Sequence, residues 1–144
     1  MSSSEAQTLR PHGPNARVHI SLEGDRVVFH GYLKRRSFSQ TDVGLVVSYL
    51  ANVTRGQSAR AMVIGTNGRS LLQLRTDMWS KETLSQLWQF LGHTPNYVGS
   101  VSLGQLRRLY PRAVSWLVAY QLWVGLFVGV ITVLICVAIT ASRH

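Results

Sequence analysis

The chain has 144 residues, of which 46% are hydrophobic and only 15% are charged. Its 15 lysines and arginines outnumber its 6 acids and give a net charge of +9, so nucleic acid, anionic lipid and acidic proteins are candidate partners. The single cysteine, Cys136, excludes an internal disulfide framework and a cysteine-based zinc site.

The N-terminal residues carry no sign of a packed element. Residues 1–16 contain no apolar run of the kind that a signal peptide needs. We therefore expect them to form a disordered segment, and the folded part of the chain is predicted to begin at Arg17.

The first hairpin is predicted from a glycine turn. Residues 17–92 alternate apolar and polar side chains, which is typical of strands with one buried face. Gly24 and Asp25 predict a type II′ turn, because that turn needs glycine at its first central position. The register then sets Ile20 opposite Phe29 on an apolar face. It also sets three other pairs opposite one another: Glu23 and Arg26, Leu22 and Val27, and His19 and His30.

A second hairpin and an intervening strand follow. Asn67 and Gly68 are the pair that most strongly favours a short hairpin turn, and they set Val63 opposite Leu72. Between the hairpins, residues 42–50 are rich in β-branched side chains and predict a strand. Four of its residues are expected on one face: Val43, Leu45, Val47 and Tyr49.

After Arg75 the apolar residues adopt helical spacing. Ser80 is placed to cap the helix at its start, and Gly92 is placed to end it in the left-handed conformation. The apolar stripe of this helix consists of Leu84, Leu87, Trp88 and Leu91.

These elements predict an α+β fold: a small antiparallel sheet or split barrel over residues 17–92, capped by a C-terminal amphipathic helix and followed by one transmembrane helix. The segment NGRSLLQLRTDMWSKETLSQLWQFLG, with its turn from Asp77 to Ser80, resembles the bacterial pleckstrin-homology-like (PH-like) domains of uncharacterised actinobacterial single-pass membrane proteins. The resemblance implies an interaction module. Phosphoinositide-binding PH domains carry a basic signature in the first hairpin loop, where this chain has the acidic sequence EGD at residues 23–25.

Basic residues are the main candidates for binding. The densest cluster, Lys34-Arg35-Arg36, is either an ordinary solvated loop or a contact for anionic headgroups. The second hairpin sets Arg60 opposite Arg75, a like-charge pair that needs an acid or a bound phosphate to relieve it. Eight residues are therefore candidate contacts for anionic lipid or a partner: Lys34, Arg35, Arg36, Arg60, Arg75, Arg107, Arg108 and Arg112.

The sequence predicts no catalytic, cofactor or metal site. It contains no nucleophile elbow, phosphate-binding loop, HExxH motif or paired-carboxylate signature. His19 and His30 could share a metal or respond to pH, or they could simply be exposed to solvent, since no third ligand is in view. Nucleic acid is not expected as a partner, because the predicted sheet lacks clustered exposed aromatic residues.

The C-terminal part of the chain predicts a membrane anchor. Residues 122–141 are twenty uncharged and mostly apolar residues, enough to cross a bilayer. Their aliphatic and phenylalanine side chains favour insertion by about 4 to 7 kcal/mol. Pro111 suits a first helical turn, so we expect a transmembrane helix over residues 111–141, a short tail at 142–144, and late, tail-anchor-like insertion.

Flanking residues predict how the anchor sits. Trp116, Tyr120 and Trp123 share one helical face and are expected to anchor it at the membrane interface. Several arginines precede the helix and only Arg143 follows it, so the positive-inside rule places the N-terminal module in the cytoplasm. The expected location is the bacterial cytoplasmic (inner) membrane, which the chain crosses once.

Residues 93–110 are predicted to link the module to the anchor. Pro95 and Gly99 indicate a flexible hinge. Leu103 and Leu106 lie on one side of a short amphipathic segment that we expect to rest on the membrane surface.

Two functions remain open from the sequence. In the first, the protein is a non-enzymatic, membrane-anchored adaptor that presents a PH-like module to anionic headgroups or to an unknown protein partner. In the second, it is a stoichiometric accessory subunit of a larger membrane complex, such as a respiratory or transport complex. Gly125 and Gly129 form a GxxxG motif that either packs against a partner's helix or a second copy, or has no such role.

Overall fold

The computed structural model describes residues 6–12, 17–115 and 121–142. These ranges contain eight β-strands: β1 Gln7–Leu9, β2 His19–Glu23, β3 Arg26–His30, β4 Arg35–Ser39, β5 Val43–Val53, β6 Gly56–Gly65, β7 Ser70–Arg75 and β8 Asn96–Val101. They also contain three α-helices: α1 Lys81–Leu91, α2 Leu103–Leu109 and α3 Gln121–Ala141. The predicted α+β class, with a C-terminal apolar helix, is confirmed.

The first sheet is an antiparallel meander of β1 to β4 in chain order. Gly24 has a φ of +61°, and no described residue other than glycine has a positive φ, so the turn between β2 and β3 fits the predicted type II′ geometry. The predicted register is confirmed, since Ile20 lies opposite Phe29 and His19 lies opposite His30.

A short N-terminal strand belongs to the same sheet. β1 pairs with β2 and sets Leu9 opposite Ile20, and the Leu9 side chain is buried in the core. The expectation of disorder over residues 1–16 is therefore wrong for residues 7–9, because cross-strand pairing and one buried leucine hold them. Residues 1–5 and 13–16 lie outside the described part of the chain.

The second sheet has the strand order β7-β6-β5-β8, and β8 pairs with β5 in the parallel direction. The predicted register of the β6-β7 hairpin is confirmed, since Val63 lies opposite Leu72 and Arg60 lies opposite Arg75. Gly68 has a φ of +79° in the connecting turn, a conformation that glycine adopts without steric cost.

β5 confirms the predicted strand but not the predicted face. The pairing of β5 with β6 shifts register between Val43 and Leu45, which indicates a bulge at Gly44. A one-residue shift turns the following side chains to the other face. Val43 consequently packs in the core between the sheets, whereas Leu45, Val47 and Tyr49 pack on the opposite face, so the expectation that all four share a face is wrong.

The first core joins both sheets to α1. Its largest buried side chains come from every layer: Ile20, Leu22, Val27, Phe38, Val46, Val63, Leu72, Leu74, Trp79, Leu87 and Leu91. α1 begins after the predicted cap Ser80, whose hydroxyl accepts a hydrogen bond from the Thr83 N–H, and it ends at Gly92 with a φ of +68°. The sequence signals for this helix are therefore confirmed.

The second core lies on the opposite face of the second sheet, where α2 and the residues after it cover β5 and β6. Leu106 is 0% exposed, and Ala113 and Val114 are buried with it. The expectation that residues 93–110 form a linker with an apolar side on the membrane surface is wrong. Residues 96–101 form β8, and the apolar side of α2 covers an apolar sheet face that would otherwise meet water.

The helix α3 is long and apolar enough to cross a membrane. Its predicted start at Pro111 is wrong, because residues 111–113 form a turn and the next residue, Val114, is buried in the second core. The first residue of α3 that the structure describes is Gln121. Residues 111–115 therefore belong to the folded module and not to the anchor.

Truncating Leu106 tests whether α2 is part of the module. We expect Leu106→Ala to lower the free energy of unfolding by about 2 to 5 kcal/mol, the usual range for emptying a buried leucine site. The matched control is Leu109→Ala on the same helix, because Leu109 is 56% exposed and its truncation leaves no cavity. Chemical denaturation of the full chain in detergent measures the free energy of unfolding of both variants. Equal, small effects of the two substitutions would show that α2 does not dock.

Candidate functional site

A cleft of about 720 Å³ lies where the two sheets meet the residues that lead toward the anchor. Five arginines line it, together with apolar and hydroxyl side chains, and none of the described residues that line it is acidic. The arginines are Arg36, Arg60, Arg69, Arg107 and Arg112. Their shared charge makes this the strongest positive feature among the described concave surfaces.

Each wall of the cleft is supplied by a different element. Arg36 lies on β4, and its guanidinium Nη1 donates to the main-chain carbonyl of Leu71 at 3.4 Å, which joins the edges of the two sheets. Arg60 lies on β6, on the sheet face that α2 covers in part, and its cross-strand neighbour there is Tyr49. Burial raises the pKa of the Tyr49 phenol, and the positive charge of Arg60 opposes that rise.

The turn between β6 and β7 positions two further arginines, Arg69 and Arg112. Arg69 follows Gly68 directly, and the Arg112 side chain lies so close to this turn that a Cβ built on Gly68 would meet its Cδ at 3.4 Å. A Cβ would thus make only ordinary contact with Arg112, and the positive φ of the turn is what favours glycine at this position. The turn therefore brings Arg69 next to Arg112, which lies in the segment that leads toward α3.

Two polar atoms at the cleft have unmet hydrogen-bonding capacity. Arg60 Nε and Ser70 Oγ are both buried, and neither has a hydrogen-bond partner within the part of the chain that the structure describes. Both residues line the cleft, from the neighbouring strands β6 and β7. A buried donor without an acceptor costs about 1 to 3 kcal/mol, so such groups in a native fold call for a specific explanation.

The like-charge pair predicted from the hairpin register is relieved on one side only. Arg75 Nη2 donates to Asp77 Oδ2 at 2.9 Å, and this hydrogen bond raises the pKa of Arg75. Arg60, directly opposite, has no acid among the residues that line its cleft. Of the two sources of relief that the sequence left open, an acid serves Arg75.

The structure brings together only some of the eight basic candidates. Four line the cleft: Arg36, Arg60, Arg107 and Arg112. Lys34 and Arg35 are exposed beside it in the β3-β4 hairpin, Arg108 is exposed on α2, and Arg75 pairs with Asp77.

Sequence reasoning missed Arg69 and Ser70 as site residues. Their position directly after an Asn-Gly turn was visible in the sequence. Their proximity to Arg112 was not, because it depends on the path of residues 110–115 over the second sheet.

The tip of the β3-β4 hairpin carries exposed apolar side chains. Tyr32 is 61% exposed and Leu33 is 96% exposed, and the Gly31 N–H closes the loop by donating to the Lys34 carbonyl at 2.9 Å. Arg36, which lines the cleft, lies three residues after Leu33, so the two Cα atoms are at most about 10 Å apart. The hairpin therefore projects an apolar tip, followed by the basic residues 34–36, beside the basic cleft.

On α3, the predicted packing and interface residues are exposed where they are described. Open space surrounds Gly125 and Gly129 within the described structure, so their side of the helix is free for close approach. Trp123 is exposed near the start of the described helix. Trp116 and Tyr120 lie outside the described residues.

The two histidines that the register sets opposite each other are stacked. The rings of His19 and His30 have centroids 4.3 Å apart and planes 12° apart. Burial lowers the pKa of His30, and the charges of His19 and Arg35 lower it further, while Glu23 acts in the opposite direction. The described residues contain no group of three or more potential metal ligands, so the pair has no third ligand there.

Acidification should weaken the first sheet through this pair. Because the folded state disfavours protonation of His30, its contribution to stability is present above about pH 6.5 and is lost as the pH falls through the lowered pKa. We expect the melting temperature to fall between about pH 7 and pH 5, and His30→Gln to reduce this fall. His12→Gln, which removes an exposed histidine elsewhere, is the control. An identical pH dependence in both variants would contradict the assignment.

No protein-family model matches the chain, and no match to a curated protein was found. The candidate function therefore depends on the residues and the geometry described above.

Proposed function

We propose that this protein is a non-enzymatic, membrane-anchored interaction module, in which a PH-like domain is held at the cytoplasmic face of a bacterial membrane by α3. The observation that carries the proposal is the short connection between the basic cleft and the apolar helix. Arg112 lines the cleft and Gln121 begins the described helix, so their Cα atoms are at most about 30 Å apart. With α3 in a bilayer, the cleft lies within reach of the headgroups.

The order of the elements supports the PH-like assignment. Two antiparallel meanders, β1 to β4 and β5 to β7, are followed by α1, whose apolar residues close the core between the sheets. This is the sheet-and-capping-helix arrangement that the sequence resemblance implies. β8 and α2 lie outside that arrangement and extend the module toward the anchor.

The distribution of arginines supports the cytoplasmic orientation. Arg107, Arg108 and Arg112 lie shortly before the apolar helix. Basic residues next to a membrane-spanning helix are retained on the cytoplasmic side during insertion. On that side they also face anionic headgroups, where each contributes about 1 kcal/mol to association.

Thiol labelling tests this orientation. In a Cys136→Ala background, we expect Thr54→Cys, in the exposed β5-β6 turn, to react with a membrane-impermeant maleimide only after the cells are permeabilised. Ser142→Cys, beyond the other end of α3, is the matched control and should react in intact cells. The reverse pattern would place the module outside the cytoplasm, and equal labelling of both sites in intact cells would exclude a single crossing.

A second candidate function is that of a stoichiometric accessory subunit in a larger membrane complex. The observation that favours it is the open side of α3 at Gly125 and Gly129, where small residues four positions apart allow another helix to approach closely. The adaptor needs no such contact for its anchor, whereas a subunit does.

Purification of the tagged full chain in mild detergent, followed by native gel electrophoresis and mass spectrometry, distinguishes these functions. The adaptor predicts a single species at the mass of a monomer or dimer. The subunit predicts co-purifying proteins in fixed ratio, which are lost in Gly125→Leu and Gly129→Leu. They are kept in the control Val130→Leu, which lies about 120° around the helix from the midpoint between the two glycines. Loss in the control as well would show that the glycines are not the contact.

A further inference from the structure

We propose that the basic cleft binds a phosphate group, and that the source of this phosphate is the headgroup of an anionic phospholipid in the membrane that holds α3. The assignment of the source rests on the proposed membrane anchoring, whereas the phosphate chemistry rests on the cleft alone. The site differs in position from the first hairpin loop, which is acidic at residues 23–25.

The charge of the cleft favours a phosphate over a neutral ligand. Five arginines line one concavity, and its described lining contains no acid. Guanidinium groups donate paired, planar hydrogen bonds that match the oxygens of phosphate, and such charge-assisted bonds are about twice as strong as neutral ones. A bound anion therefore relieves the mutual repulsion of these arginines and offers an acceptor to Arg60 Nε.

The buried donors indicate where the phosphate oxygens bind. Arg60 Nε and Ser70 Oγ are buried without a partner among the described residues, and both belong to the wall that β6 and β7 form. Phosphate oxygens are strong acceptors and can accept from either group while exposed arginines of the rim, such as Arg69, bind from the solvent side. The anion thus completes the hydrogen bonding that the protein alone leaves open.

The apolar surroundings favour a lipid as the source of the phosphate. Phe29 and Leu103 line the cleft among the arginines. Beside it, Leu33 is 96% exposed at a hairpin tip that basic residues follow directly, which suits the boundary between headgroups and acyl chains. A freely diffusing phosphate makes no use of these apolar groups, whereas a phospholipid does.

Thermal unfolding of the full chain in non-ionic detergent tests the proposal. At about 0.15 M salt, where exposed charges are screened, we expect short-chain phosphatidylglycerol at ten times its Kd to raise the melting temperature by roughly 5 to 10 °C. Short-chain phosphatidylcholine, with no net charge, should give little shift. Inorganic phosphate at matched ionic strength should give a smaller shift than phosphatidylglycerol.

The variants assign the shift to the cleft. Arg60→Gln and Ser70→Ala should each lose most of the shift caused by phosphatidylglycerol, while Arg55→Gln, which removes an exposed arginine from the distant β5-β6 turn, should keep it. The melting temperature without ligand shows that each variant is folded, and Arg69→Gln replaces any variant that is not. Equal shifts in the cleft variants and in Arg55→Gln would mean non-specific charge attraction and would overturn the site.

The remaining outcomes separate the phosphate from its source. Equal shifts with inorganic phosphate and phosphatidylglycerol, both lost in Arg60→Gln, would support the phosphate site and overturn the lipid as its source. No shift with either ligand would overturn the site itself. Thiol labelling of residues 54 and 142 is independent of these measurements, so failure of the anchoring proposal is distinguishable from failure of the cleft.

Discussion

The structure depends on the burial of the second sheet on both faces. One face packs against the first sheet and α1, and the other is apolar as well, with Val47, Tyr49 and Met62 buried there. A sheet with two apolar faces needs a cover on each. The chain meets this need with α2 and residues 110–114, which lie just before the anchor. The same packing that removes Leu106 from water therefore carries Arg107 and Arg112 to the wall that Arg60 occupies.

Short-range sequence signals predicted the two hairpins and the ends of α1. The turns at Gly24 and Gly68 set both hairpin registers, and Ser80 and Gly92 marked the ends of α1, because each depends on a few adjacent residues. β8 was missed because it pairs in parallel with a strand more than forty residues earlier, and no short-range pattern encodes that partner. The bulge at Gly44 was missed for a related reason, since uninterrupted alternation is the simplest interpretation of a β-branched run.

The sequence predicted the basic character of the candidate site but not which residues the fold brings together there. The predicted pairing of two strands identified Arg60 and Arg75 as a like-charge pair that an acid or a bound phosphate would relieve. It could not show that Arg75 finds its partner in Asp77, which lies two residues further on, or that Ser70 Oγ is buried beside the cleft. Four of the eight basic candidates lie elsewhere because charge density along a chain does not determine which side chains a fold brings together.

The cleft links the module to the anchor mechanically as well as electrostatically. Arg60 belongs to a central strand of the second sheet, whereas Arg112 belongs to the turn after α2 that leads toward α3. A phosphate held between them connects two parts of the chain that otherwise meet through the buried side chains of Leu106, Ala113 and Val114. Because a headgroup is fixed at the depth of the interface, its binding also fixes the height of the sheet above the bilayer. On the proposal that this cleft binds a lipid phosphate, binding would orient the module and so determine which of its surfaces stay open to a protein partner.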